Sequence, residues 1–392
     1  MELVELGTLL EMEKGKKPAI VSLEPKEGFL PYVDIDVFEK GIIKQYTEGS
    51  KCTPCEDGDI LIVCDGSRSG LVGKAVKGYV GSTLARISAP GLSRDYLYHF
   101  VQGKYALLNT RKKGTGTPHL NPELLKKQKL VVPDVTEQER IVARIEELFS
   151  QLDAGVETLK KTKAQLAVYR QAVLKEAFEG RLTASGPEKI VRLGDYIETP
   201  RYGTSKKCSY DDGIDRTAVY RIPNIEHKNG RISHDDIKYA QFTESELDGI
   251  RLRQGDILII RSNGSVSLVG RAAMVCDADI TGTFAGYLMR LRILEPETLL
   301  PKFLLLFLQS HQARVYIENK AKSTSGVHNI NSTEISDLQM TLYDPDTQYA
   351  IIEAIESRLS VCDSIEQTVD TALQQAEAMR QSILKDAFEG RL

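Results

Sequence analysis

The chain has 392 residues, 41% hydrophobic and 27% charged, which predicts two to three domains of an ordinary soluble protein and excludes collagen-like, disulfide-scaffold and disordered classes. The apolar run FLLLFL (Phe303 to Leu308) is far shorter than the about 20 residues of a membrane span, and MELVEL lacks the basic start of a secretion signal. Six scattered cysteines suit a reducing cytosol, so a cytoplasmic location is expected, while 51 basic against 55 acidic residues give a net charge of −4 that does not announce a nucleic-acid binder.

In chain order, the first stretch places a Gly-Asp turn before a β-type run, GDILIV (Gly58 to Val63), then LVGKA (Leu71 to Ala75) and the helical segment RDYLYHFVQ. After the capping string Asp134-Val-Thr-Glu-Gln-Glu comes a long helix, with Ile141, Ile145, Leu148, Leu152, Leu159, Leu166, Tyr169 and Val173 as its heptad seam and Gly155 and Thr162 as weak rungs. It ends at QAVLKEAFEGRL (Gln171 to Leu182), followed by the polar linker TASGPEK (Thr183 to Lys189). A second stretch carries GDILII (Gly255 to Ile260), LVGRA (Leu268 to Ala272) and the helical PKFLLLFLQSHQARVYI. A second long helix follows Asp344-Pro-Asp-Thr-Gln, with Ile351, Ile355, Cys362, Ile365, Val369, Ala372, Ala376, Met379 and Ile383 as its seam, Arg358 as the flaw, and QSILKDAFEGRL (Gln381 to Leu392) as its end. Each helix spans roughly 40 residues, about 60 Å.

These elements form an internal repeat. An ungapped offset of 210 relates the two helix ends, TGTPHLN to SGVHNIN, Gln138 to Gln348 and Asp153 to Asp363. Offsets of 197 relate the GDIL and LVG strings, and 187 relates Leu6-Gly7 to Leu193-Gly194, so the second copy carries longer loops inside a shared frame. Net charge by segment is +1 for residues 1–115, +1 for 116–182, +2 for 183–325 and −8 for 326–392. The variable stretches permit a polyanionic partner without demanding one. An apolar stripe this long needs a partner helix, and the basic KKTK (Lys160 to Lys163) of the first helix against the acidic second favours mutual antiparallel pairing.

Two divergent domains alternating with two near-identical helical segments, the duplicated LKxAFEGRL ending, the Gln-containing helix start and the GDIL…VG frame resemble the specificity subunits of type I restriction–modification enzymes. The resemblance covers the whole chain. It implies an α+β fold in which two similar mixed α/β target-recognition domains are joined by two long helices forming an intramolecular antiparallel coiled coil with a pseudo-two-fold axis. The segments would be 1–135 and 183–345 for recognition, and 136–182 and 346–392 for the helical spacers. It also implies that each domain reads one half of a bipartite, asymmetric target in double-stranded DNA, and that the helices space the domains and hold two modification subunits. These subunits would carry S-adenosylmethionine and the methyltransferase chemistry, and restriction and translocase subunits would complete the complex. The chain itself would hold no cofactor.

The residues agree with a non-catalytic chain. NPEL (Asn121 to Leu124) lacks the second proline and the aromatic of an adenine methyltransferase tetrad, and Gly73-Lys74 is no phosphate loop. Pro133-Asp134 and Pro345-Asp346 read as helix caps rather than nuclease motifs, and Cys52-Thr-Pro-Cys55 as structural or incidental rather than zinc or redox. His119 and His328 fall near the loops before the long helices, one position out of register. Candidate DNA contacts are loop residues with basic, amide or hydroxyl groups at matching places in both copies. They are Lys16 and Lys17 against Arg201, Tyr202, Lys206 and Lys207; Ser67 and Arg68 against Arg261, Asn263 and Ser265; and Arg111, Lys112 and Lys113 against Lys322. Arg68 and Arg261 are expected to be equivalent, each at its own domain's DNA face. The competing reading is a coiled-coil scaffold joining two protein-binding modules.

Overall fold

The GDIL strands are buried on both faces, which is why they are apolar without alternation. In the computed structural model, which describes residues 3–110, 118–181, 189–226, 228–321 and 326–392, Ile60 and Ile62 enter one core and Leu61 and Val63 another. Ile257 and Ile259 likewise part from Leu258 and Ile260. The chain divides into two units, 1–160 with 370–392, and 161–369. The linker residues 183–188 lie outside the described residues.

The first unit contains β1 (Leu3–Glu5), β2 (Glu11–Lys14), β3 (Leu30–Val33), α1 (Ile35–Lys40), β4 (Tyr46–Thr47), β5 (Pro54–Cys55), β6 (Ile60–Val63), β7 (Val72–Lys74), β8 (Gly78–Val80) and β9 (Leu84–Ser88). Then come α2 (Arg94–Gln102), α3 (Tyr105–Thr110), α4 (Pro122–Lys126), β10 (Lys129–Val131) and the long α5 (Val135–Phe178), which continues into the second unit. An antiparallel sheet ordered β2-β9-β6-β7 packs against a mixed sheet, also of four strands, ordered β4-β3-β8-β5, and β1 pairs with β10.

The second unit continues with β11 (Lys189–Arg192), β12 (Arg201–Tyr202), β13 (Arg216–Tyr220), β14 (Ile225–Glu226), β15 (Arg231–Ile232), β16 (Lys238–Gln241), α6 (Glu244–Asp248), β17 (Ile257–Ile260), β18 (Ser262–Asn263), β19 (Ala272–Met274), β20 (Thr283–Phe284) and β21 (Leu288–Leu291). It closes with α7 (Pro301–Gln309), α8 (His311–Lys320), β22 (His328–Asn329), α9 (Ser332–Ser336), β23 (Gln339–Leu342) and the first part of α10 (Pro345–Phe388). Its sheet β12-β21-β17-β19 repeats β2-β9-β6-β7, and β13 pairs in parallel with β20 as β3 does with β8. The helical string expected after Leu300 is two helices, because Ser310 is extended and its hydroxyl accepts from Ala313 N at 3.3 Å, capping α8.

The repeat register differs from the string match in one place. Gly70 N and Gly270 N donate to Val63 O and Ile260 O at 2.8 Å, and Ala75 N and Val275 N donate to Asp59 O and Asp256 O at 2.8 Å. The equivalence after the GDIL strand is therefore an offset of 200, not 197, with three extra residues in the second loop. Gly70 and Gly270 both have left-handed backbones, φ 94° and 84°, so this glycine rather than the LVG string marks the shared position.

Both long helices are built alike. Asp134 and Asp344 carboxylates accept from Glu137 N (2.9 Å) and Thr347 N (3.0 Å) as caps. Gln138, 1% exposed, accepts from Ser93 N (2.7 Å) and donates to Gly91 O and Pro133 O; Gln348, 0% exposed, accepts from Leu300 N (2.9 Å) and donates to Thr298 O and Tyr343 O. At the other end, Gly180 and Gly390 are left-handed at φ 72°, and Arg181 N and Arg391 N reach back to Glu176 O and Asp386 O. The repeated FEGRL is thus a helix stop.

In the first unit the start of α5 runs against the end of α10, with Arg140 donating to Leu392 O and Arg380 pairing with Asp153. In the second unit Arg170 pairs with Asp363 and Glu366, again antiparallel. The seam needs correction. Phe149 is buried and Val156 half-buried where Leu148 and Gly155 were expected, and Arg170, Glu366 and Arg380 occupy rungs assigned to Tyr169, Ile365 and Met379, which are 48%, 40% and 54% exposed. Apolar residues stand at both candidate phases, and the bulkier Phe149 and Val156 take the interior while the arginines cross to carboxylates.

Candidate nucleic-acid interface

In each unit the residue after the GDIL strand is held by main-chain bonds to two other segments, one of them just after the third expected loop. In the first, Cys64 N donates to Thr83 O (2.8 Å), and Leu120 N to Cys64 O (2.7 Å). In the second, Arg261 N donates to Tyr287 O (2.9 Å), and Ile330 N to Arg261 O (2.9 Å). Gly15 and Gly203 bring the ends of β2 and β12 against this frame, since a Cβ would lie 2.2 Å from Gly81 O in one and 2.1 Å from Phe284 O in the other.

The side chains on the frame differ. In the first unit Asp65 accepts from Lys14 Nζ at 2.9 Å and bonds His119 Nδ1 at 2.7 Å, tying all three segments together. Partial burial pushes the Asp65 carboxyl up, and the hydrogen bonds from His119 and Lys14 outweigh it, holding it below the usual carboxylate range. Burial pushes the Cys64 thiol up to about 11, so it stays protonated. In the second unit the Arg261 guanidinium lies over the Tyr202 ring, 4.2 Å from its centroid, and donates through Nη1 to Gly286 O at 3.0 Å. Tyr202 Oη accepts from Ser332 N at 3.0 Å.

Arg68 and Arg261 are not equivalent, which corrects the expectation from sequence. The counterpart of Arg261 is Cys64, 7% exposed, whereas Arg68 sits further along the turn and pairs with Glu39 of α1. Ser67 O accepts from Asn109 Nδ2 at 2.9 Å, at the end of α3. Lys16 and Lys17 are exposed beyond Gly15, as are Arg201 and Lys207. Lys206 is held by Glu246 at 2.7 Å, by Gln241 O and by the Phe242 ring. Asn263 Oδ1 accepts from Ser265 N at 2.9 Å in the turn after β18, and Ser265 Oγ meets Ser267 Oγ at 3.0 Å. Arg111, Lys112, Lys113 and Lys322 lie outside the described residues.

Sequence reasoning missed Lys14, Asp65, Arg221 and Lys238. The last two, with Lys206, Arg261 and Tyr287, line a cavity of about 590 Å³ in the second unit. The signal for Lys14 was its place just before Gly15; nothing in the sequence placed Lys238 beside Arg261.

Other motifs have structural roles. Asp256 accepts two bonds from Arg292, both 2.7 Å, and one from Arg253 N, also 2.7 Å, while Asp59 accepts from Glu56 N at 2.9 Å and pairs with Arg94 at 3.1 Å. The Asp of GDIL thus fixes the turn into the strand. Cys52 and Cys55 are free thiols, Cys55 buried. Among the described residues no group of three or more His, Cys, Asp or Glu side chains is placed to hold a metal, and no helix is long and apolar enough to cross a membrane.

The fold defines a tandem-duplicated α+β protein whose two units use one backbone frame to present different polar side chains. Residues 1–167 match the type I restriction modification DNA specificity domain. The chain is 25% identical to the type I restriction enzyme EcoKI specificity subunit of Escherichia coli K12, over 96% of this chain and 82% of that one. It is also 25% identical to the StySPI specificity subunit of Salmonella potsdam, with the same coverage. In fold it is similar to a chain from a structural study of complex assembly and conformational transition of the type I R-M system, at TM-score 0.76 and 18% identity over all of this chain and 98% of that one. Its first 167 residues thus match a type I DNA specificity domain, and nearly the whole chain is similar to type I restriction enzyme specificity subunits.

Proposed function

We propose that each unit reads one half of a bipartite, asymmetric target in double-stranded DNA, and that the long helices set the spacing and dock two modification (methyltransferase) subunits. Restriction and translocase subunits complete the complex. The chain performs no chemistry itself; S-adenosylmethionine binds the methyltransferase subunits, and the assembly works in the cytoplasm, where the DNA is. The observation that carries this reading is the shared frame bearing Lys14, Asp65 and His119 in one unit and Tyr202 and Arg261 in the other. One backbone with two sets of hydrogen-bonding groups is what reading two different half-sites requires. Docking of subunits on the helices is supported by Tyr169, Val361 and Ile365 of the second unit, exposed at 48%, 59% and 40%. Each stands one residue before an inward-facing position, Arg170, Cys362 or Glu366, so an antiparallel pair presents all three along one edge.

The test is methylome sequencing of a strain expressing this chain with its modification subunits, joined to DNA binding as a function of salt. A bipartite methylated sequence, and an affinity falling steeply with ionic strength as counterions are released, is the expected result. Protein partners without DNA affinity would favour the coiled-coil scaffold.

A further inference from the structure

Arg261 differs from Arg216 and Arg221 of the same unit in what holds it. Arg221 is paired with Asp236 and Arg216 with Asp211. Arg261 has no carboxylate partner among the described residues. Its plane is set by the Tyr202 ring at 4.2 Å and its roll by one bond from Nη1 to Gly286 O at 3.0 Å. Its Nε is buried without a hydrogen-bond partner, as are those of Arg221 and Arg290, so what sets Arg261 apart from those two is the missing carboxylate. A guanidinium held over an aromatic ring keeps its N–H fork pre-organised, and the unspent N–H groups of Nη1 and Nη2 suit a planar pair of acceptors. In front of it lies the cavity of about 590 Å³, lined also by Lys238, whose ammonium is 4.6 Å from the Tyr210 ring centroid.

We propose that Arg261 reads a guanine of the half-site bound by the second unit, that Tyr202 is its positioning residue, and that Lys238 neutralises a neighbouring phosphate. This rests on the DNA-reading function proposed above. Guanine offers O6 and N7 side by side in the major groove, the one base edge that takes a bidentate cation. The first unit has the buried Cys64 at the matching position, so this reading belongs to one half-site alone.

The test uses the full chain assembled with its modification subunits, and duplexes of the methylated target substituted one position at a time. Arg261→Ala should lower discrimination at one guanine of one half-site by about 5- to 150-fold, which is 1–3 kcal/mol at about 1.4 kcal/mol per tenfold, leaving the other half-site unchanged. Arg261→Lys should relax the same position, because an ammonium cannot form the fork, and it also serves if the alanine variant misfolds. Tyr202→Phe should keep discrimination and Tyr202→Ala lose part of it, with no further loss in the Arg261→Ala background. Lys238→Ala should weaken all sequences alike and flatten the salt slope by about one. A uniform loss in Arg261→Ala, an unchanged sequence profile, or relaxation at a base other than guanine overturns the proposal. A parent complex with no sequence preference would instead sink the function on which it rests.

Discussion

Gln138→Ala should loosen the joint between the start of α5 and the loop before α2. The amide makes three bonds to main chain: one to the buried Pro133 O and two, with Ser93 N and Gly91 O, in partly buried surroundings. Leaving a buried group unpaired costs about 1–3 kcal/mol, and each bond that water can replace costs about 0.5–1.5. The expected loss is therefore about 2–6 kcal/mol, a large share of the 5–15 typical of a domain. Gln348→Ala should cost about 0.5–1.5 kcal/mol more, since two of its three bonds, from Leu300 N and to Tyr343 O, are buried. The chain has no tryptophan, so hydrogen exchange read by mass spectrometry, with urea titration, is the suitable assay. Gln138→Ala should speed exchange in residues 91–102 and at the start of α5 while leaving 298–309 untouched, and Gln348→Ala should do the reverse. A loss under about 0.5 kcal/mol in both variants, or exchange raised equally in both regions, would refute the reasoning.

Reversing Arg380 to Glu should destabilise the first unit by about 1 kcal/mol, because Arg380 pairs with Asp153 and covers the Phe149 ring at 4.4 Å; adding Asp153→Arg should recover part of it in a double-mutant cycle of thermal stability. Burial holds the His99 imidazole below its ordinary range, and its Nε2 accepts or donates no hydrogen bond, with Glu146 Oε1 at 3.9 Å. The unfolded chain therefore binds this proton first, so the stability is present above about pH 6.5 and falls as pH drops below it. His99→Gln should flatten that slope in denaturant titrations at several pH values. Burial pushes the Cys55 and Cys64 thiols up to about 11, and Cys276 is exposed; iodoacetamide at pH 8 should label Cys276 first and the other two only on unfolding, as peptide mass spectrometry would show.

The long helices were legible because their ends repeat as strings: a capping Asp, a glutamine four residues on, and FEGRL. What the strings do not carry is which of two adjacent apolar positions turns inward. Leu148 and Phe149 both fit a heptad, and the choice is made by packing across the helix pair, so Tyr169, Ile365 and Met379 were misplaced. The Arg68–Arg261 equivalence failed because it followed residue type and not register, since the offset of 197 already sets Arg261 opposite Cys64 and Arg68 opposite Ser265. Matching LVG to LVG hid three extra residues, and the backbone marker was the left-handed Gly70 and Gly270. The convergence of three loops was anticipated only as a recurrence, since Asp65 meets Lys14 and His119 through sheet pairing that links positions 51 and 54 residues apart.

The frame beneath Cys64 and Arg261 is joined to its neighbours through N–H and C=O groups, not through the side chains that stand on it. Changing what stands there should leave the strand connections intact, so the stability of the unit and the identity of the base it prefers can drift independently. A small buried thiol and a long stacked cation already occupy the same backbone position within one molecule. Such a scaffold can acquire a new target by replacing a few side chains, without first passing through a poorly folded intermediate.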